Sequence, residues 1–370
     1  MGFYPAVCIV RSLVLSVIAL AISLSASAQE EQVRVGVLAP LSGDVAPWGN
    51  DTKRALELAN ERIGEGRIKL IFEDDRCVGK DAVTAARKLL AIDRVHFGMT
   101  VCTEPTLSVA PIFNQEKRVI VAPGATAAAV TGLGDYIFRT WPSDQVLVEM
   151  VFNHLARRVN SVAVLTEARG FPQEFSKAFV ALAERKGVAV AAEDFATGET
   201  DFRSLILRVK AKGMAALLVS TDSDRTLANV LQQVREQKWQ LPMYGSYVVG
   251  TASFLSKHSD LAEGIVFGDS PAVACSETQQ DCDIYREFEK RYSIQSANYM
   301  VASSISAFRV IRDMVLSGQD PRAFLYSARF ESAIGSFHFD SNGDVVGPTP
   351  SLMVIRNGKA EIIHEEAPRE

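Results

Sequence analysis

The 370-residue chain has few of the motifs that mark an enzyme. It contains no Gly-x-Ser-x-Gly elbow and no His-Glu-x-x-His pair, so neither a hydrolase nucleophile nor a zinc-protease site can be read from it. Gly79-Lys80 lacks the glycine and the following Ser/Thr of a phosphate loop. Gly132-Leu133-Gly134 has no third glycine at the dinucleotide spacing. The five histidines, His96, His154, His258, His338 and His364, are scattered and read as surface or satisfied residues. No Cys-x-x-Cys occurs, so no zinc site is expected. Asp340-Ser341-Asn342-Gly343-Asp344 has the spacing of a calcium loop but not its distant bidentate Glu, and reads as a plain turn. With 39 Lys/Arg against 44 Asp/Glu and no basic stripe, no nucleic-acid partner is expected. These absences point to a chain that is not an enzyme and holds no metal or cofactor.

The N-terminus is an export signal in composition. Arg11 is the only charge in residues 1–28, Ser12–Leu24 is apolar, and Ala26-Ser27-Ala28 is a small-x-small site, so cleavage is expected before Gln29. The run falls short of the ~20 apolar residues that span a bilayer. No later stretch reaches that length, so the protein is not expected to be membrane-embedded. Cys8 precedes the apolar run, whereas a lipid-anchor cysteine would follow it, so a soluble exported protein is expected. The cysteines beyond the signal are Cys77, Cys102, Cys275 and Cys282, an even set that in an exported chain reads as disulfides rather than free thiols. The local pairing, Cys77–Cys102 and Cys275–Cys282, closes the shortest loops.

Beyond the signal, strand and helix patterns alternate. Val33, Val35 and Val37 mark a strand that breaks at Pro40-Leu41-Ser42-Gly43. A helix follows, with Asn50–Asp51 as its cap and Ala55, Leu58 and Ala59 as its apolar stripe. Trp48 falls in the loop between them, where an aromatic can wall a site. Strands over Lys69–Glu73, Phe97–Val101, Arg118–Ala122, Ser161–Thr166, Val188–Asp194, Ala215–Ser220 and Pro242–Gly245 are interleaved with helices. Late helices, Ile284–Tyr292 and Tyr299–Leu316, precede short strands at Phe337–Phe339 and Ser351–Arg356. Repeated βα units mean parallel sheets covered on both faces. One layer cannot hold so many strands, and Trp141-Pro142-Ser143-Asp144 interrupts the pattern. The expected fold is therefore α/β with two Rossmann-like lobes and a ligand cleft between them.

Several segments in this order resemble one family. Gly36–Gly49 (GVLAPLSGDVAPWG), Glu73–Cys77, Cys102-Thr103, Val121–Ala127 (VAPGATA), Phe138–Gln145 (FRTWPSDQ), Gly198–Gly213 and Gly335–Asp344 are similar to signatures of the periplasmic solute-binding proteins of branched-chain amino-acid ABC importers. The resemblance covers nearly all of the chain beyond the signal. It implies the type I periplasmic-binding fold, with three hinge crossings near Thr140–Asp144, Gly268–Pro271 and Val346–Thr349. Lobe 1 would then hold 29–143 and 271–346, and lobe 2 would hold 144–270 and 347–370. It also implies a periplasmic protein, expected to be a monomer, that closes on a small ligand and hands it to an ABC importer permease.

Carried over by position, the resemblance places Thr103, Gly124, Ala125 and Thr126 on the ligand's carboxylate and part of its ammonium group. Hydroxyls and backbone N–H groups at helix starts suit an anion, although each threonine alone reads equally well as a helix cap. Trp48, Phe171 and Tyr299 would be aromatic walls, with core packing as the other reading. The departure is Tyr247, which stands where amino-acid binders of this family carry an acid for the ligand's ammonium. Either Asp222 or Asp224 supplies that charge, or the ligand is an aromatic acid, an amide or urea. An exported sensor docking on a membrane receptor is the alternative function that this fold allows.

Overall fold

The structure is a computed structural model that describes residues 32–276 and 279–364. The expected signal and its cleavage site lie outside those residues. Among the described residues no helix is long and apolar enough to cross a membrane.

The first βα run comprises β1 (Val33–Ala39), α1 (Ala46–Ile63), β2 (Ile68–Asp74), α2 (Gly79–Ala91), β3 (Phe97–Thr100), α3 (Thr103–Gln115), β4 (Ile120–Ala122) and β5 (Ile137–Arg139). Its strands form a parallel sheet in the order β2-β1-β3-β4-β5. The alternation in β1 is not a one-sided pattern. Val35–Ala39 are all buried, because helices cover both faces of a parallel sheet.

The second run comprises α4 (Asp144–Ala156), β6 (Ser161–Glu167), α5 (Gly170–Arg185), β7 (Ala189–Phe195), α6 (Arg203–Lys210), β8 (Leu217–Ser220), α7 (Asp224–Glu236), β9 (Met243–Gly245), α8 (Ala252–Ala262) and β10 (Val266–Asp269). The chain then returns through α9 (Gln280–Arg291), α10 (Asn298–Ser317), α11 (Pro321–Ser327), β11 (Phe330–Ser332), β12 (Gly335–Phe339) and β13 (Val345–Val346). It ends on β14 (Ser351–Arg356) and β15 (Lys359–Ile362), which extend the second sheet to β15-β14-β10-β9-β8-β6-β7. β14 and β15 join antiparallel.

The strands β11 to β13 form a small third sheet whose Phe330, Phe337 and Phe339 pack into the same core as β1, α1 and α10. The α/β two-lobed architecture expected from the sequence is therefore present. Chain segments pass between the two halves after β5, after β10 and after β13.

α10 is buried along most of its circumference, serines included. Those hydroxyls are satisfied within the lobe: Ser303 Oγ donates to Pro123 O at 2.8 Å, and Ser306 Oγ donates to Ala302 O at 2.8 Å.

Asp51 plays a different part from the one its sequence suggested. α1 starts earlier, at Ala46, with Pro47 in the first turn where its missing N–H costs nothing. Asp51 is thus inside the helix and fully buried. Its Oδ2 accepts from Gln295 N, Ser296 N and Ser296 Oγ, each at 2.8 Å, and so fixes the segment that leads into α10.

The pairing Cys77–Cys102 is formed, across a separation of 25 residues. Cys275 and Cys282, expected to be a second disulfide, are free. Burial and the hydrogen bond with Cys282 push the Cys275 thiol up to about 12. Cys282 Sγ donates to Gln279 Oε1 at 3.4 Å. Burial thus favours the Cys275 thiol, whereas it is the thiolate that attacks to form a disulfide.

Candidate functional site

Each sheet reverses its strand order once, and in open α/β sheets the ligand crevice lies at that switch point, beyond the carboxyl ends of the strands. In the first sheet the switch falls between β1 and β3, and in the second between β6 and β8. The two switch points face each other. The cavity between them is lined by Val45 and Trp48 after β1, Val101, Cys102 and Thr103 after β3, and Gly124 after β4. The opposite wall carries Arg169, Gly170 and Phe171 after β6, Asp222 after β8 and Tyr247 after β9. The region a water's centre can reach inside is about 30 Å³. One water needs roughly 10–15 Å³ by that measure, so an amino-acid-sized guest enters only when the walls separate.

The helix starts on the two walls approach closely. A Cβ built on Gly170 would stand 2.6 Å from the Glu104 Cβ, so only glycine lets α5 meet α3 this closely. Gly124 is equally constrained, since its Cβ would lie 2.5 Å from Val101 O and 2.6 Å from Met300 Cε. At the rim, Arg225 Nη2 donates to both carboxylate oxygens of Asp44 at 2.7 Å across the cleft. Such an exposed pair is worth at most about 1 kcal/mol, a tie that can open again.

The aromatic wall is larger than the sequence suggested. Phe171 lies 4.8 Å from Tyr247 and Trp48 lies 5.8 Å from it, centroid to centroid. Trp141, read in the sequence only as part of a chain break, stands behind them, 5.6 Å from Tyr247 and 6.4 Å from Trp48. Trp48 is in the first turn of α1 rather than in a loop. Tyr299 is not on the wall. It is buried against Trp141 at 5.1 Å, and its hydroxyl donates to Thr140 O at 3.2 Å. An aromatic at a helix start signals either role, and here the packing of α10 decides for the core.

The polar groups divide similarly. Thr103 lines the cavity, is 2% exposed, and its Oγ1 has no hydrogen-bond partner. Its hydroxyl caps nothing, so the cap reading does not hold. Thr126 and Ala125 are fully buried and do not line the cavity. Ala125 packs in the core between α2, α3 and β4. Thr126 lies behind Tyr247, facing the Asp144 carboxyl, and neither group makes a well-formed side-chain hydrogen bond. Burial pushes Asp144 up to about 7, opposed by Thr126 and Arg139.

Arg139 holds this loop from below. It is fully buried, with Nη1 donating to Thr126 O at 3.0 Å and Ala127 O at 2.8 Å, and Nε donating to Asp344 Oδ1 at 2.6 Å. Asp344 ends the Asp340–Asp344 turn, in which Asp340 Oδ1 accepts from Asn342 N at 2.8 Å and Asp344 N at 2.9 Å. The turn is structural, as its sequence implied.

Of the two candidate acids, Asp222 lines the cavity and Asp224 does not. Asp224, the first residue of α7, is engaged elsewhere: its Oδ1 accepts from Thr251 Oγ1 at 3.0 Å. Burial pushes Asp222 up to about 7, with Arg169 pulling the other way and Glu167 and Glu104 adding to the rise. Arg169 and Glu104, both on the wall, were not read from the sequence, since a single charge in a turn carries no periodic signal.

A family model described as a periplasmic binding protein matches residues 32–351, and the chain belongs to that family, whose members are binding proteins rather than enzymes. A Leu/Ile/Val-binding protein homolog 3 of Brucella melitensis is 23% identical over 350 residues, covering 90% of this chain and 94% of its own. The leucine-, isoleucine-, valine-, threonine-, and alanine-binding protein of Pseudomonas aeruginosa is 23% identical over 336 residues, covering 87% of this chain and 89% of its own. Among solved structures, a leucine-binding protein from Thermotoga maritima superposes with a TM-score of 0.78 at 19% identity, over 90% of this chain and 98% of its own. An ABC-transporter solute-binding protein from R. palustris, in complex with benzoate, gives 0.78 at 17% identity, over 90% of this chain and 95% of its own.

Proposed function

We propose that the protein is an extracytoplasmic solute-binding protein that captures a small carboxylate-bearing ligand between its lobes and delivers it to an ABC importer permease. The observation that carries this reading is the cavity where the two switch points meet, with aromatic walls and an unpartnered hydroxyl at Thr103. The names of the relatives support the ligand class: branched-chain amino acids for the curated ones and benzoate for one solved structure. On this reading the chain is exported after cleavage behind Ala28. It works as a monomer, and it hinges at the three links between lobe 1 (29–143, 271–346) and lobe 2 (144–270, 347–370). Closure needs no chemistry. A ligand that touches both walls binds the closed form better and shifts the population toward it.

A thermal-shift screen tests the proposal, using refolded protein with amino acids, benzoate- and cinnamate-type acids, urea and short amides. A ligand at about 100 times its Kd adds ~2.7 kcal/mol and raises the midpoint by degrees. Thr103→Val keeps the shape and removes the hydroxyl. It should leave the ligand-free midpoint unchanged and weaken binding about tenfold, the worth of one hydrogen bond to a charged group. Unchanged affinity in this variant would remove Thr103 from the site, and silence from the wild type across all carboxylates would remove the ligand class.

A further inference from the structure

Arg169 stands at the head of α5 with an extended backbone, φ −144°. Its side chain lines the cavity, and its Nη1 is buried with no hydrogen-bond partner. Among the described residues it forms no ion pair within 4.0 Å. The nearest acids act on it only at longer range, and Glu167 is occupied, its Oε2 accepting from Asp222 N at 3.0 Å. A guanidinium is a donor-only group that stays charged, and a buried nitrogen without an acceptor is costly unless something supplies one.

Thr103 lines the same cavity from the other wall, nine-tenths and more buried, with its own oxygen unpartnered. The two groups are donors from opposite lobes that meet only across this space. Glu104, the remaining acid of the first wall, accepts from Gly79 N at 3.0 Å. That leaves Asp222, on the same wall as Arg169, as the acceptor pole.

We infer that Arg169 is the residue that selects the ligand's carboxylate, closing on it opposite Thr103, while Asp222 takes the ligand's ammonium, so that the site reads a zwitterion with an apolar side chain. The charge balance argues for this class over a simple aromatic acid. A lone carboxylate would meet Arg169 but set a second negative charge beside the Asp222 carboxyl, whereas a zwitterion offers each pole an opposite charge. Trp48, Phe171, Tyr247 and Met300 then surround the side chain. The acid absent at Tyr247 is then supplied one strand earlier, by Asp222 after β8. It rests on the capture of a carboxylate ligand proposed above.

The test is titration calorimetry of wild type, Arg169→Gln and Asp222→Asn, after confirming that the ligand-free midpoints match. The probes are leucine and phenylalanine, phenylalaninamide without the carboxylate, and 3-phenylpropionate without the ammonium. Arg169→Gln should weaken the amino acid about tenfold or more, as loss of a charge-assisted bond does, and change the amide by less than about twofold. Asp222→Asn should weaken the amino acid and leave 3-phenylpropionate unaffected. Equal losses for acid and amide in Arg169→Gln would reduce Arg169 to a structural part and overturn the assignment. Wild type binding 3-phenylpropionate as tightly as phenylalanine would overturn the zwitterion while capture stands. Wild type binding no carboxylate at all would overturn capture itself, and this inference with it.

Discussion

Arg139→Leu should lower the unfolding free energy by about 3–5 kcal/mol, the cost of removing one partner from a buried ion pair. The change strands the Asp344 carboxylate and frees the carbonyls of Thr126 and Ala127, which Arg139 holds at 3.0 and 2.8 Å. It also loses the contact of Nη2 with Thr131 Oγ1 at 2.6 Å. The loop it anchors begins at Gly124, on the cavity wall, so binding should suffer even at temperatures where the variant remains folded. Arg139→Lys keeps the charge but not the planar fork, and cannot serve Asp344 and two carbonyls together. It should recover only part of the loss. Urea unfolding of the three proteins gives the answer, and a loss under about 1 kcal/mol in Arg139→Leu would mean that the loop holds itself.

Replacing Cys77 and Cys102 by alanine should cost about 3 kcal/mol, because the bridge closes a loop across 25 residues and such loops restrain the unfolded chain by that order. The expected reading is a thermal midpoint lower by several degrees, matched by adding reductant to the wild type. The local consequence is larger than the entropy suggests. Cys102 precedes Thr103 directly, and Cys77 N donates to the buried Asp75 Oδ1 at 2.8 Å, so the bridge positions the first wall of the cavity. Replacing Cys275 and Cys282 by serine should leave the sensitivity to reductant intact, since those sulfurs are thiols. A reductant effect that follows Cys275 and Cys282 instead would reverse the assignment of the bridge.

The alternation of strands and helices was legible in the sequence because it is local: β1, β6 and β8 are apolar runs, and Pro40-Leu41-Ser42-Gly43 ends the first of them. Short elements escaped, among them the strands β5, β10, β11, β13 and β15. β10 is a four-residue strand that exists through its neighbours β9 and β14, and β15 pairs only with β14. Asp51 carried a genuine capping signal, but its partners are Gln295 and Ser296, far along the chain, which no local pattern can announce.

The site divides in the same way. Trp48, Thr103, Gly124, Phe171, Asp222 and Tyr247 do meet at one cavity, because each follows a strand end in its own sheet. Ala125, Thr126 and Tyr299 neighbour those positions in sequence but turn into the core, where the packing of α10 and the pull of Arg139 decide their direction. Trp141 and Arg169 are the reverse case. One reads as a chain break and the other as a turn charge until the two lobes are brought together.

The most direct measurement is the crystal structure of the protein grown with the ligand that gives the largest thermal shift. That ligand should be enclosed between Trp48 and Tyr247, with its carboxylate within hydrogen-bond distance of Thr103 Oγ1 and the Arg169 guanidinium, and both lobes in contact with it. A ligand seated on the outer face of one lobe, with this cavity unchanged, would contradict it.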